Sequence, residues 1–213
     1  MLTDEKRKFI SRLKDEKHIL INRELCSKCG GYCCEKEACI LFPFDISPFT
    51  EENISYLLEK GYYSIRAFFE SGKAYAFLTA REEGNDAFAI LKSHKRCAHL
   101  TEKGCMFFDA ERPTGGLALI PAPYYKCNSA YELEELEAHW KDEVVVKVMD
   151  EVLKKYIGNH SLTKICYSLF KGFEQSILND TCSYNFATKY SIYHQGLRFG
   201  FNFKEKTLKK IHS

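Results

Sequence analysis

The chain has 213 residues, 45% hydrophobic and 28% charged, enough for one globular domain or one domain with a helical extension. Its net charge is +2, from 31 basic and 29 acidic residues, and the balance holds on both sides of Cys127, which argues against a nucleic-acid-binding class. No run of eighteen apolar residues occurs and the first twenty residues lack the apolar core of a signal peptide, so a cytoplasmic protein with no membrane span is expected.

In chain order, residues 3–21 are expected to form a helix, with Phe9, Ile10, Leu13, Ile19 and Leu20 as an incomplete apolar stripe. Residues 22–49 read as loop, punctuated by Gly30, Gly31, Pro43 and Pro48. Thr50 is an N-cap for a short helix with Glu51 and Glu52 at its positive end and Gly61 just past its end. The apolar runs Ala74 to Arg81 and Ala87 to Lys92 flank a turn-like Glu82-Glu83-Gly84-Asn85-Asp86 and are expected to pair as a hairpin. Irregular chain follows from Lys95 to Cys127. From Tyr131 to Ile157 apolar residues recur at near-helical spacing, which predicts one long helix capped by Asn128 or Ser129 and ended by Gly158. A second helix is expected over 161–179, and the last thirty residues give no clear pattern.

Ten cysteines stand out against this background. Disulfides rarely persist in a reducing compartment, so a dense cysteine pattern there points to metal or catalysis. Eight lie between Cys26 and Cys127, and five fall between Cys26 and Cys39. Cys26-Ser27-Lys28-Cys29 followed by Gly30-Gly31 is a knuckle in which two thiolates can reach one ion from a tight turn. Cys33, Cys34 and Cys39 follow. Adjacent side chains diverge, so Cys33 and Cys34 are not both simple ligands of one tetrahedral ion; one could serve a second site, bridge two metals or be a spare thiol. A second group holds Cys97, Cys105 and Cys127, with His94 and His99 close enough in sequence to add a nitrogen. Candidate metal ligands are therefore Cys26, Cys29, Cys33, Cys34, Cys39, Cys97, Cys105 and Cys127. Zinc and iron, the latter also as an iron–sulfur cluster, both accept such thiolates. Cys166 and Cys182 sit among apolar or aromatic residues and are read as packed thiols.

The string Cys26, Cys29, Cys33-Cys34, followed by Cys97-Ala98-His99-Leu100, Lys103-Gly104-Cys105 and Glu111-Arg112-Pro113, resembles the bacterial YkgJ-type (CxxCxxCC) family, described as a zinc- or iron-chelating domain. The likeness spans about 26–127. One more residue separates Cys29 from Cys33 than the family's name implies, and Thr114-Gly115-Gly116-Leu117 stands where the family has Cys-Arg, so the chain resembles a divergent branch. The resemblance implies metal chelation, and some relatives are flagellin lysine N-methylases.

These readings predict an α+β fold: a loop-rich cysteine-cluster metal domain with a small hairpin over 1–127, and a helical extension with a long helix over 128–213 packing on it. The expected function is a cytosolic zinc- or iron-chelating protein whose partner is the metal ion. The alternatives are an enzyme related to the flagellin lysine N-methylases or an iron–sulfur redox protein, and then a zinc-dependent nucleic-acid or protein-binding module. No catalytic residue is assigned.

Overall fold

The computed structural model describes residues 3–17, 31–36, 38–70, 72–90, 95–102, 104–107, 111–120, 127–168, 199–202 and 207–210. Helices and small antiparallel sheets make these an α+β fold.

The first helix, α1 (Asp4–Lys17), starts at Thr3, whose Oγ1 accepts the Lys6 N–H at 3.2 Å and donates to the Phe44 carbonyl at 3.0 Å. Asp4 and Glu5 sit at the positive end of its dipole. Phe9 and Leu13, one turn apart, are buried, and the Phe9 ring lies 4.7 Å from that of Phe42. The expected loop over 22–49 contains, in its described part, a short helix α2 (Tyr32–Lys36) and a 3-10 turn, Pro43–Asp45. Leu41 and Phe42 just before that turn are fully buried.

The expected hairpin is not the one that forms. Strand β2 (Lys73–Ala80) pairs antiparallel with β1 (Tyr63–Glu70), in register from Tyr63 opposite Ala80 to Glu70 opposite Lys73. The connection turns at Gly72, whose φ of +82° suits glycine. The turn at 82–86 exists, with the Asn85 N–H on the Glu82 carbonyl at 3.1 Å, but the chain then runs back along the far side of β1. There the Ile65 N–H donates to Ala87 and the Ala89 N–H to Ile65, a parallel contact. Arg66 disguises β1 in the sequence, because a charge in mid-strand breaks the apolar pattern. Glu82, 2.9 Å away, allows it to be buried. On the other edge, Leu41 donates to Leu78 and Ala80 to Cys39, so segment 39–41 lies beside β2.

Thr50 caps α3 (Glu51–Glu59) as expected, accepting the Asn53 N–H at 3.3 Å. Further on lie the two-residue strands β3 (Leu100–Thr101) and β4 (Gly104–Cys105), the four-residue helix α4 (Thr114–Leu117), and the pair β5 (Leu119–Ile120) with β6 (Asn128–Ser129). Asn128 and Ser129 thus belong to a strand and cap nothing. The predicted single long helix is two, α5 (Leu133–Trp140) and α6 (Glu143–Ile157). The break is local: the Asp142 side chain accepts the N–H groups of Val144 and Val145 and starts a new helix. Gly158 ends α6.

One hydrophobic cluster runs from Phe9 to Cys166, so residues on both sides of position 128 share a core. Trp140 is its largest fully buried side chain and donates from Nε1 to the Leu41 carbonyl at 2.8 Å. Met149, Val152 and Leu153 bury the inner face of α6. A helical stretch over 162–168 follows, and Thr163 Oγ1 accepts the Ala74 N–H at 3.0 Å. The rest of the helix expected over 161–179 lies outside the described residues. Strands β7 (Phe199–Asn202) and β8 (Thr207–Lys210) pair antiparallel. Among the described residues no helix is long and apolar enough to cross a membrane.

Candidate metal centre

Cys26, Cys29 and His94 lie outside the described residues, as does the side chain of Cys33. Cys34, Cys39, Cys97, Cys105, Cys127 and Cys166 are described, all as thiols.

The two cysteine segments are stitched together by backbone. The Cys97 N–H donates to the Cys34 carbonyl at 2.7 Å. Cys97 is also bridged to Glu82, and flanking bonds from Glu83 to Arg96 and from Ala98 to Arg81 lay segment 96–98 along the chain that leaves β2. Cys39 reaches the same place from the other edge through its carbonyl, which accepts the Ala80 N–H at 2.9 Å. The result is a small cluster of Ala38, Ala80 and Cys97, with Cys34 and Cys39 packed against it. Gly31 adds a further join. Its φ is +78°, and a Cβ there would lie 2.8 Å from Leu100 Cδ1, so the chain leaving the glycine pair is seated on β3. Arg96 braces the outside, pairing with Glu35 at 3.0 Å and Glu83 at 2.7 Å. That role is structural, in solvent, and contributes little stability by itself.

Cys105 enters through the β3–β4 pairing, opposite Leu100. The next pair is His99 with Met106, since the Met106 N–H donates to the His99 carbonyl at 2.9 Å. Successive pairs project to opposite faces of a hairpin. One face carries Leu100, on Gly31, and Cys105, close enough to Cys39 to influence its ionisation. The other carries His99, whose Nε2 lies 2.7 Å from the Tyr62 carbonyl and whose Nδ1 lies 3.0 Å from Met106 Sδ. A carbonyl only accepts, so Nε2 bears the proton. Burial lowers the His99 pKa, and a neutral ring results. The expectation that His99 supplies nitrogen to the cysteines is corrected by this alternation: its ring is committed to Tyr62, Met106 and Phe107. Cys127 stands half-buried immediately before β6.

Charge around Cys39 is lopsided. Burial, then Cys97, Asp45 and Cys105, hold its thiol well above the ordinary value, while Arg112 acts the other way. Each ionised thiol therefore opposes the next, and a cation in their midst would relieve all of them. Asp45 is a residue that sequence reasoning missed. Its carboxylate accepts the Phe42 N–H at 2.8 Å, the Thr114 N–H and hydroxyl, and the Lys6 ammonium at 2.8 Å. Both partners of the Lys6 pair are almost fully buried, with side-chain exposures of 4% and 1%. The signal was a lone carboxylate inside the apolar run Leu41 to Ile46.

Position 115 admits no side chain, because a Cβ there would lie 2.2 Å from the Ile40 carbonyl oxygen. Gly115 thus lets α4 approach segment 39–41 backbone to backbone. Arg112 forms no ion pair with its neighbour Glu111 among the described residues. Its stem packs over Gly116 beside Cys39 instead.

Among the described residues no three His, Cys, Asp or Glu side chains are arranged to hold a metal ion. Cys34, Cys39 and Cys97 are of the right chemistry and share one apolar corner, with Cys105 near Cys39. Comparison with protein-family models, curated proteins and solved structures finds no match for this chain.

Proposed function

We propose that this chain is a metal-binding cysteine-cluster protein that chelates zinc or iron, the iron as an ion or an iron–sulfur cluster. The single observation that carries the reading is the meeting of Cys34, Cys39 and Cys97 around Ala38 and Ala80, from segments about sixty residues apart in sequence. Reduced cysteines gathered with so little apolar volume around them suit a site where thiolates do the cross-linking. The charge pattern at Cys39 supports a cationic occupant, because burial and anionic neighbours disfavour an uncompensated thiolate there. In this reading Cys39 and Cys97 supply described ligands, and Cys26, Cys29 and Cys33 of the knuckle segment complete them. Cys34, Cys105 and Cys127 are further donors for the same or a second centre. A bound metal would supply folding energy, since apo thiolate modules of this kind lose order. The sequence likeness to the YkgJ-type family points the same way.

Anaerobic purification of the full chain followed by elemental analysis tests the proposal. Zinc or iron at one or more equivalents per chain is expected, colourless for zinc and brown for an iron–sulfur cluster. Cys39→Ser and Cys97→Ser should each lose most of it, and a chelator should lower the melting temperature of the wild type alone. At free metal one hundred times its Kd, the bound ion contributes about 2.7 kcal/mol of stability. A folded wild-type chain that holds no metal after anaerobic reconstitution would sink the proposal.

A further inference from the structure

The side chain of Arg112 packs its stem beside Cys39 but leaves a buried polar atom unused. Among the described residues its Nε is buried without a hydrogen-bond partner. Such orphaned N–H groups are rare and cost free energy, and each calls for a reason. The surroundings of Gly116 give one. A Cβ at position 116 would lie 3.3 Å from Arg112 Cγ, 3.4 Å from Arg112 Cδ and 3.5 Å from Cys39 Sγ. The Arg112 stem and the Cys39 sulfur therefore border the same small space, which glycine leaves open. The arginine is also held there from behind: its carbonyl accepts the Lys6 ammonium at 2.6 Å, and Thr114, two residues on, is fixed to Asp45 by both its N–H and its hydroxyl.

From this geometry we infer that Arg112 is a positioning residue of the cysteine cluster, whose Nε–H is reserved for the Cys39 sulfur once that sulfur is a metal-bound thiolate. The inference rests on the metal-binding reading above. In the metal-free chain Nε makes no hydrogen bond to that sulfur or to any other described acceptor. A thiolate is a better acceptor than a thiol, and a cluster of thiolates around a divalent ion carries net negative charge that a guanidinium offsets. Groups that hydrogen-bond a ligand atom from behind commonly govern metal affinity by about 10–100-fold, and for an iron–sulfur centre hydrogen bonds to the sulfurs also set the potential. Arg112 holds and tunes the ligand without touching the ion.

Co(II) added to the full-length, metal-free chain is the probe, because thiolate-to-cobalt charge transfer reports on the sulfur itself. Arg112→Gln removes the guanidinium, and Arg112→Lys keeps a positive charge while deleting the Nε–H. The expected result is a loss of Co(II) affinity of about 10–100-fold in Arg112→Gln. Its charge-transfer band should move to lower energy, since a sulfur without its hydrogen bond gives up electron density more readily. In Arg112→Lys the band should also move. The melting temperature of the metal-free chain should change little in either variant. An unmoved band with wild-type affinity in Arg112→Gln overturns the inference alone. So does a band at the wild-type position in Arg112→Lys, or an affinity loss matched by an equal loss of metal-free stability with the band unmoved. A wild-type chain that binds no Co(II) overturns the metal reading and this inference together, so the two failures are told apart.

Discussion

The aromatic centre and the cysteine corner of this molecule are held by different means. Around Phe42 the rings of Phe9, Phe44 and Tyr131 lie with centroids 4.7 to 5.0 Å away, and Trp140 closes the layer while bonding Leu41. That region is close-packed and needs no help. The corner has Ala38, Ala80 and Cys97 as its buried members, small side chains whose removal from water contributes little. Its order comes from backbone hydrogen bonds and the approach of Leu100 to Gly31. A chain this size can fold on its centre alone. The corner is therefore where a bound ion would matter most.

Breaking the centre should have the largest effect. Trp140→Ala opens a cavity and strands the Leu41 carbonyl, at a cost of about 3–5 kcal/mol, read as a shift of the urea midpoint. If the corner depends on the centre only for support, the variant chains that remain folded should still take up metal at the wild-type ratio. A stability loss below about 1 kcal/mol would show that the centre is looser than its packing implies.

A smaller loss is expected from cutting the link between the two regions. Lys6→Met leaves Asp45 buried beside Cys39 without its cation, which should cost about 3 kcal/mol. Unlike Trp140→Ala, it should also alter the corner, because Asp45 holds Thr114, and Thr114 lies two residues from Arg112. Hydrogen exchange of the Thr114 amide reads this directly. Protection equal to wild type in Lys6→Met would show that Asp45 keeps its place unaided.

The smallest effect at neutral pH separates two kinds of cysteine. Cys166 is a packed thiol of the centre, and burial pushes its pKa up to about 12. A raised thiol pKa means the neutral form is favoured in the folded chain, so its contribution is intact below the unfolded value of about 8.5. That contribution is lost as pH climbs from there through about 12. Cys166→Ala should flatten this alkaline decline of stability while leaving metal content unchanged, with chemical melts from pH 8 to pH 11 as the measurement. An unchanged alkaline slope in the variant would mean that other groups, such as the buried Tyr63 phenol, whose pKa is also raised, carry the decline.

Much of the helical structure was legible because its signals are local. Thr50 with two glutamates after it marks α3, and Gly158 ends α6. The break at Asp142 was legible too, since an aspartate ahead of Glu143 and a valine run is an N-cap signature, but the continuous apolar periodicity across it outweighed the cap. Strand β1 was hidden for the opposite reason. Arg66 is buried through Glu82, sixteen residues away, and no local pattern announces that. The same division holds for the site. Cysteine spacing pointed to residues 26–39 and 97–105, and among the described cysteines those two segments meet. Asp45 and Lys6 escaped notice because their pairing spans the chain, and His99 was misread because the register of β3 and β4 decides which way it faces.

The contact between Gly115 and Ile40 has a mechanical consequence. Where two backbones touch with no side chain between them, there is no compliant layer to absorb a displacement, so a shift of segment 39–41 is expected to carry segment 114–117 with it. A pull on the Cys39 sulfur is then transmitted to Thr114, from Thr114 to Asp45, and from Asp45 through Lys6 to α1. The first helix, which carries none of the cysteines, is thereby geared to the corner. A fluorophore on its exposed face would register events at a sulfur it never contacts.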